Sequence, residues 1–344
     1  MATILVTGGC GFIGSHLCAA LRARGDAVRV LDDLSTGHAA NLAPGARLIL
    51  GDINQPLALR EALAGVDACF HLAAIASVER GVTDWLGTHR TNLSATIALM
   101  DAARAERVPV VYASSAAVYG QQPAMPLEES AAPQPLSAYG ADKLGCEQHA
   151  RVAGHVHRVP TVGLRFFNVF GPRQDPSSPY SGVISIFCER LRLGQPVKLF
   201  GDGGQTRDFV FVADVVAALL AALPVAAVEA PVFNVCTGRA VSVLELAETV
   251  ASLCGTAAEL HRMPARLGEI RHSVGSPARA RQALALGVPV TLRQGLLETL
   301  DWLGANRRPG TVRHLPGALP GALTGALPGA LPGPRIGVSA AARS

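Results

Sequence analysis

The first half of the chain alternates short apolar, β-branched runs with longer stretches whose apolar residues recur at helical spacing. Residues 4–7, 27–31, 47–50, 68–72 and 108–113 read as strands. Residues 13–24, 57–64 and 92–105 between them read as helices. Strand and helix in this rhythm predict an α/β fold with a doubly wound parallel sheet. The pattern loosens after about Asn168, where Pro/Gly-rich loops at 171–179 and 201–204 surround short elements. Such a region predicts a smaller α/β domain that closes over a ligand. Leu-Pro-Gly then recurs at positions 315, 319, 327 and 331. Proline and glycine at that density build neither helix nor ladder, so 307–344 is expected to be a disordered tail outside the fold.

Composition narrows the class. The 344 residues suffice for one large or two modest domains with a real core. No apolar run of about 18 residues escapes charge or turn signals, so no membrane span is expected. The N-terminus lacks a basic region and meets glycines at once, which fits a first strand and not a signal peptide. Seven scattered cysteines form no C-x-x-C and read as reduced core thiols of a cytoplasmic protein. The net charge of +4 comes from the tail, whose five arginines and no acid leave 25 basic against 26 acidic residues elsewhere. A near-neutral body argues against a nucleic-acid partner.

Candidate chemistry begins where the first strand ends. Gly8, Gly11 and Gly14 sit at i, i+3 and i+6 where strand turns into helix. In a Rossmann turn the first glycine allows the tight bend, the second lets the backbone approach a pyrophosphate, and the third lets helix and strand pack closely. The helix start, Phe12-Ile13, then offers N–H groups and a positive dipole end to phosphates. Asp32-Asp33 ends the second strand about 20 residues on, as the dinucleotide fingerprint requires. A carboxylate there accepts from ribose hydroxyls and repels a 2′-phosphate, favouring NAD over NADP. The other reading of Asp32 is a turn residue before Ser35-Thr36-Gly37. Asp52-Ile53 after the third strand is placed near the adenine, although Asp after Gly51 also makes an ordinary loop.

Tyr139 and Lys143 stand four residues apart, on one face of a helix. An ammonium beside a tyrosine favours the phenolate, which a tyrosine general base needs. The chain holds two lysines against 28 arginines, so a lysine here departs from its habit. The compact ammonium is not easily replaced by a guanidinium. Ser114-Ser115 ends the fifth strand, at the sheet edge where ligands of doubly wound folds bind. Ser115 there can hydrogen-bond a substrate hydroxyl, where an isolated Ser-Ser would be a turn or cap. His155-Val156-His157 lacks partners at metal-ligand spacing and is expected in a surface loop after the Tyr–Lys helix, with no metal bound.

Together these residues resemble the extended short-chain dehydrogenase/reductase family over about residues 2–306. Asp33-Leu34-Ser35-Thr36-Gly37, His71-Leu72-Ala73-Ala74, the run 113–120 and the run 165–174 are similar to those of UDP-hexose 4-epimerases. The resemblance implies an NAD-dependent sugar-nucleotide isomerase, with Ser115, Tyr139 and Lys143 as its catalytic set. It implies Leu72, Ala73, Ala74, Asn92 and Phe167 around the cofactor. It implies a Rossmann domain over 1–168, joined by later elements near 208–236, and a mainly UDP-sugar-binding domain over 169–306. Arg207 matches the family's diphosphate arginine, and Arg266-Leu267-Gly268-Glu269 its Arg-x-Gly-acid signature, with Glu269 on the ribose. Phe200 would stack on uracil, while Asn168, Val183, Ser77 and Ser273 would face diphosphate or sugar. Any single arginine also fits a solvated surface charge. Family members restricted to glucose and galactose carry a bulky tyrosine where Ser273 stands, so the resemblance implies room for an N-acetyl group. Sibling dehydratases and decarboxylases carry acid after the catalytic serine, whereas Ala116-Ala117 follow Ser115 here. A uronate 4-epimerase, a decarboxylase and a non-catalytic NAD sensor remain the rival readings. The helices read at about 92–105 and 137–153 carry apolar faces, and in this family they pair across a two-fold axis, so a symmetric dimer is expected here too.

Overall fold

Six strands and six helices alternate through the first half. The strands are β1 (Thr3–Thr7), β2 (Ala27–Asp32), β3 (Arg47–Leu50), β4 (Ala68–His71), β5 (Val110–Ser115) and β6 (Thr161–Phe166). The helices are α1 (Phe12–Ala23), α2 (Pro56–Leu63), α3 (Val78–Thr83), α4 (Trp85–His89), α5 (Ala95–Ala103) and α6 (Ala138–His157). The structure, a computed structural model, describes residues 1–176, 182–265 and 270–305. The expected tail over 307–344 lies outside the described residues, as do Arg266 and Glu269.

The second half carries β7 (Asn168–Phe170), β8 (Val197–Phe200), β9 (Thr206–Arg207), β10 (Phe209–Phe211), β11 (Val232–Val235), β12 (Val241–Ser242), β13 (Leu260–Met263) and β14 (His272–Ser273). Its helices are α7 (Val183–Arg192), α8 (Val212–Ala222), α9 (Val243–Cys254), α10 (Ala278–Leu284) and α11 (Leu292–Ala305). Seven of the described strands form one parallel sheet in the order β11-β6-β5-β4-β1-β2-β3. From β1 the chain steps outward to β2 and β3, then crosses back to β4 on the other side of β1. The crevice beyond the carboxyl ends of β1 and β4 is therefore the switch point at which such sheets bind ligands.

Adjacent residues of each central strand face opposite cores. Val6, Val30 and Phe70 pack with Leu17 and Leu21 of α1 and Val215 and Leu219 of α8. Their neighbours Leu5, Leu31 and Cys69 pack with Leu59 of α2, Leu99 of α5 and Cys146 of α6. Both faces are covered, which is why these strands are apolar throughout and do not alternate. A further cluster over Phe187, Leu191, Leu199, Leu246 and Leu296 gives the second half its own packing centre. All seven cysteines are free thiols, five of them buried. Among the described residues no helix is long and apolar enough to cross a membrane.

Three expectations need correction. The strand read at 108–113 runs instead over Val110–Ser115. Pro109 has no N–H to give, whereas Ser114 and Ser115 pair with Arg165 and Phe166. The helix read at 92–105 opens as a π-turn over Arg90–Ser94 before α5. His155 and His157 lie in the last turn of α6, not in a loop after it. That helix ends only at Arg158, which takes the left-handed conformation at φ 57°.

Candidate active site

β1 delivers the chain into Gly8, which holds φ 70° while its N–H donates to the Leu31 carbonyl at 2.9 Å. A side chain would not fit, since a Cβ at Gly8 would stand 2.7 Å from the Ala73 nitrogen. A Cβ at Gly14 would overlap the Gly8 carbonyl. α1 starts at Gly11 without a side-chain cap and with no acid in its first turn. Its leading N–H groups therefore need an outside acceptor, and the dipole favours an anion there. A Cβ added at Gly11 would meet only the Gly8 carbonyl, so the loop backbone stays open to approach. This cradle fits the diphosphate of a dinucleotide.

Asp32 is buried at the end of β2. Its Oδ2 accepts from the Cys10 N–H and its Oδ1 from the Leu34 N–H, both at 2.9 Å. Burial raises its pKa, and these two hydrogen bonds work against that shift. Asp33 Oδ1 accepts from the Ser35 N–H at 2.9 Å, which shapes the turn after β2.

A cavity of about 570 Å³ opens above the switch point. Gly8, Gly11, Phe12, Ile13, Gly14, Asp32, Asp33, Ile53, Leu72, Ala73 and Ala74 line it, as the sequence reading expects of cofactor residues. So do Ser115, Tyr139, Lys143, Phe167 and Asn168. The glycine loop and the Ser–Tyr–Lys set thus face one space.

α6 positions the second group. Ser137 caps it, its Oγ accepting from the Gly140 N–H at 3.1 Å. Tyr139, Lys143 and Glu147 then follow at i, i+4 and i+8 along one face. Lys143 is 3% exposed, and its Nζ donates to the Ala113 carbonyl at 2.9 Å. The same Nζ lies 5.9 Å from the centre of the Tyr139 ring. Ser115 Oγ accepts from the Ala117 N–H at 3.1 Å, which opens the turn over Ala116–Val118.

Several supports were missed in the sequence. Ser114 Oγ donates to Glu147 Oε1 at 2.5 Å, and Arg165 grips both Glu147 oxygens at 2.9 and 2.7 Å. Burial works against the Arg165 charge, but Glu147 outweighs it and raises the pKa. His71 bridges Thr7 Oγ1 and Thr96 Oγ1 at 2.8 and 2.9 Å beneath the crevice. Burial, then the Lys143 charge, lowers its pKa to about 3, so the ring is neutral.

Other expected residues stand outside the cavity wall. Asn92 is fully buried in the π-turn; its Oδ1 accepts from the Ile75 N–H at 2.8 Å and its Nδ2 donates to the Ile75 carbonyl at 3.1 Å. It therefore braces Ile75, a wall residue. Asp52 Oδ1 takes the Asn54 N–H, and Ser77 Oγ caps α3 through the Arg80 N–H. Val183 opens α7 next to the wall residue Gly182. Phe200 ends β8 and Arg207 ends β9. β14 pairs with β9, which sets Ser273 beside Arg207. Ser273 is thus a strand residue, its carbonyl accepting from the Asp208 N–H at 3.0 Å.

Comparison with known proteins gives the same picture. The profile of the NAD dependent epimerase/dehydratase family matches residues 4–236. The UDP-glucose 4-epimerase of Mycolicibacterium smegmatis is 38% identical over 310 residues, covering 87% of this chain and 97% of the relative. The UDP-glucose 4-epimerase of Thermus thermophilus, solved in complex with NAD, is 36% identical with a TM-score of 0.83, covering 89% of this chain and 100% of that one. The UDP-N-acetylglucosamine 4-epimerase of Methanobrevibacter ruminantium, solved with UDP-N-acetylmuramic acid, is 32% identical with a TM-score of 0.83, covering 89% and 99%. By the family profile over residues 4–236 and these relatives, the chain belongs to the NAD dependent epimerase/dehydratase family, as an NAD-dependent epimerase.

Proposed function

We propose that the chain interconverts the C4 epimers of a UDP-hexose through a transient 4-keto sugar. UDP-glucose and UDP-galactose are substrates, and so are UDP-GlcNAc and UDP-GalNAc. The observation that carries this reading is the shared cavity: Ser115, Tyr139 and Lys143 face the same space as the glycine loop and Asp32. The relatives named above support the choice of sugar nucleotide.

Bound NAD supplies a hydride acceptor and donor; the protein supplies position and proton transfer. Gly8 to Gly14 and Asp32 would hold the two ends of the adenosine diphosphate, and Leu72 to Ala74 the wall beside it. Tyr139 takes the proton of the 4-hydroxyl as the 4-keto sugar forms and returns it to the epimer. The Lys143 ammonium stands 5.9 Å from the Tyr139 ring centre and, through its bond to the Ala113 carbonyl, sets the distance between α6 and β5. Ser115 hydrogen-bonds the reacting oxygen. Ala116 and Ala117 place no acid beside it, so nothing there expels water or assists loss of carbon dioxide from the ketone. Arg207 and Arg266 would take the UDP phosphates, Glu269 the uridine ribose, Phe200 the uracil, and Asn168, Val183, Ser77 and Ser273 the sugar side. This divides labour between residues 1–168 and 169–306.

A homodimer is part of the proposal. Val82, Trp85 and Leu86 on α3 and α4, and Val152 and Val156 on α6, are all at least half exposed. A symmetric pairing of these helices would cover them. Light scattering that gives a monomer mass at micromolar concentration would overturn it. Free thiols throughout support a cytoplasmic setting. The function is tested by incubating the holoenzyme with UDP-glucose and with UDP-GlcNAc and resolving products by chromatography. Formation of the galacto epimers supports the reading; unchanged substrate, or a dehydrated or decarboxylated product, contradicts it.

A further inference from the structure

After β7 the chain leaves the sheet and crosses onto the cofactor half of the cavity. Two contacts fix the crossing. The His16 Nε2 on α1 donates to the Pro172 carbonyl at 2.9 Å. Arg173 then reaches the turn beyond β2, its Nη1 donating to the Asn41 carbonyl at 3.4 Å. Asn41 in turn holds the glycine loop, its Nδ2 donating to the Cys10 carbonyl at 3.1 Å.

Arg173 is unusual on two counts. Its backbone sits at φ 67°, in the left-handed region that a side chain makes costly. The residue is partly buried on the cavity wall, yet among the described residues its side chain makes no ion pair and gives only that one long hydrogen bond. A partly buried cation without an anion is unfavourable unless a ligand supplies one. Arg173 lines the same cavity as Gly11, Asp32, Gly37 and Asn41, the end that fits adenosine diphosphate. Its charge also acts on His16 and Cys18 of α1, which places it close to the helix whose uncapped start faces that end.

We propose that Arg173 is a cofactor latch: its guanidinium takes a phosphate of the adenosine diphosphate half of NAD and ties the segment after β7 to α1 and the turn beyond β2. The Arg173 side chain stands on the cavity wall, and the ligand's charge pairs the cation. One segment of the second half thereby contributes to holding the dinucleotide, and NAD release requires that segment to let go. The proposal rests on NAD as the cofactor and not on the identity of the sugar.

The test is NAD exchange, which is independent of turnover. Holoenzyme is mixed with excess isotopically labelled NAD, and bound label is followed by mass spectrometry in the parent, Arg173→Ala and Arg173→Gly. Glycine suits φ 67°, so Arg173→Gly removes the charge without leaving strain behind. Both variants should exchange about ten- to a hundredfold faster, the weight of one charge-assisted contact. Added salt should speed exchange in the parent and have less effect in the variants, because it screens the missing pair. Parental exchange rates in both variants would overturn the proposal. So would faster exchange in Arg173→Ala alone, which would assign the effect to the backbone, or an equal salt response in all three proteins.

Discussion

Lys143 and Glu147, one turn apart on α6, hold consecutive residues of β5: Lys143 Nζ bonds the Ala113 carbonyl at 2.9 Å, and Glu147 Oε1 accepts from the Ser114 hydroxyl at 2.5 Å. The next residue is Ser115, which faces the cavity. The helix that carries Tyr139 therefore also fixes the strand end that carries Ser115. Their spacing is set by two side chains of one helix face, Lys143 and Glu147.

That grip depends on Arg165. Glu147 and Arg165 have side chains only 5% and 6% exposed, so each charge relies on the other. Glu147→Gln leaves the guanidinium buried without its carboxylate. Losing one partner of such a pair costs about 3–5 kcal/mol. Thermal unfolding at fixed NAD should show a clear drop in Tm for Glu147→Gln; a parental Tm would contradict the role given to the pair.

His71 sets an acid limit. Its folded pKa is lowered to about 3 from 6.5 because the ring is buried. Below pH 6.5 the unfolded chain takes up a proton that the folded chain does not, so stability falls as pH drops from there toward about 3. Above that window His71 is neutral in both states and contributes no slope. Urea unfolding between pH 7 and pH 4 should show this decline in the parent and a shallower one in His71→Gln. Equal slopes would remove His71 from the account.

The proposed function gives Ser273 the role of leaving room at the sugar site. Ser273→Tyr should lose UDP-GlcNAc epimerisation selectively while keeping UDP-glucose epimerisation, because a pocket with room still accepts the smaller sugar. Kinetics on both substrates decide it. Equal loss on both, or loss on neither, would contradict the gate.

Much of the candidate cofactor site is legible in the sequence because its signals are local. Gly8, Gly11 and Gly14 lie within one turn, Asp32 ends the next strand, and Tyr139 and Lys143 share a helix face. The supports were not legible because they join distant positions. Glu147 meets Arg165 from 18 residues away, and Asn92 meets Ile75 from 17. Spacing along one helix could have singled out Glu147, two turns beyond Tyr139, but nothing local named its partner. The end of α6 was misjudged because no glycine marks it. Arg158 takes the left-handed position that glycine usually fills, so His155 and His157 stay helical. The π-turn at Arg90–Ser94 had no local signal either, since its reason is the buried bracing of Ile75 by Asn92.

The most direct test of the central claim is turnover by Tyr139→Phe, with the parent as reference, on UDP-glucose and UDP-GlcNAc. The substitution removes one hydroxyl and keeps the ring, so the fold and bound NAD should persist. Removing a positioned general base lowers the rate about 10²–10⁴-fold. The account predicts a loss of at least that size in the rate of C4 epimerisation, with NAD content unchanged; a variant that holds NAD and epimerises at near-parental rate would contradict it.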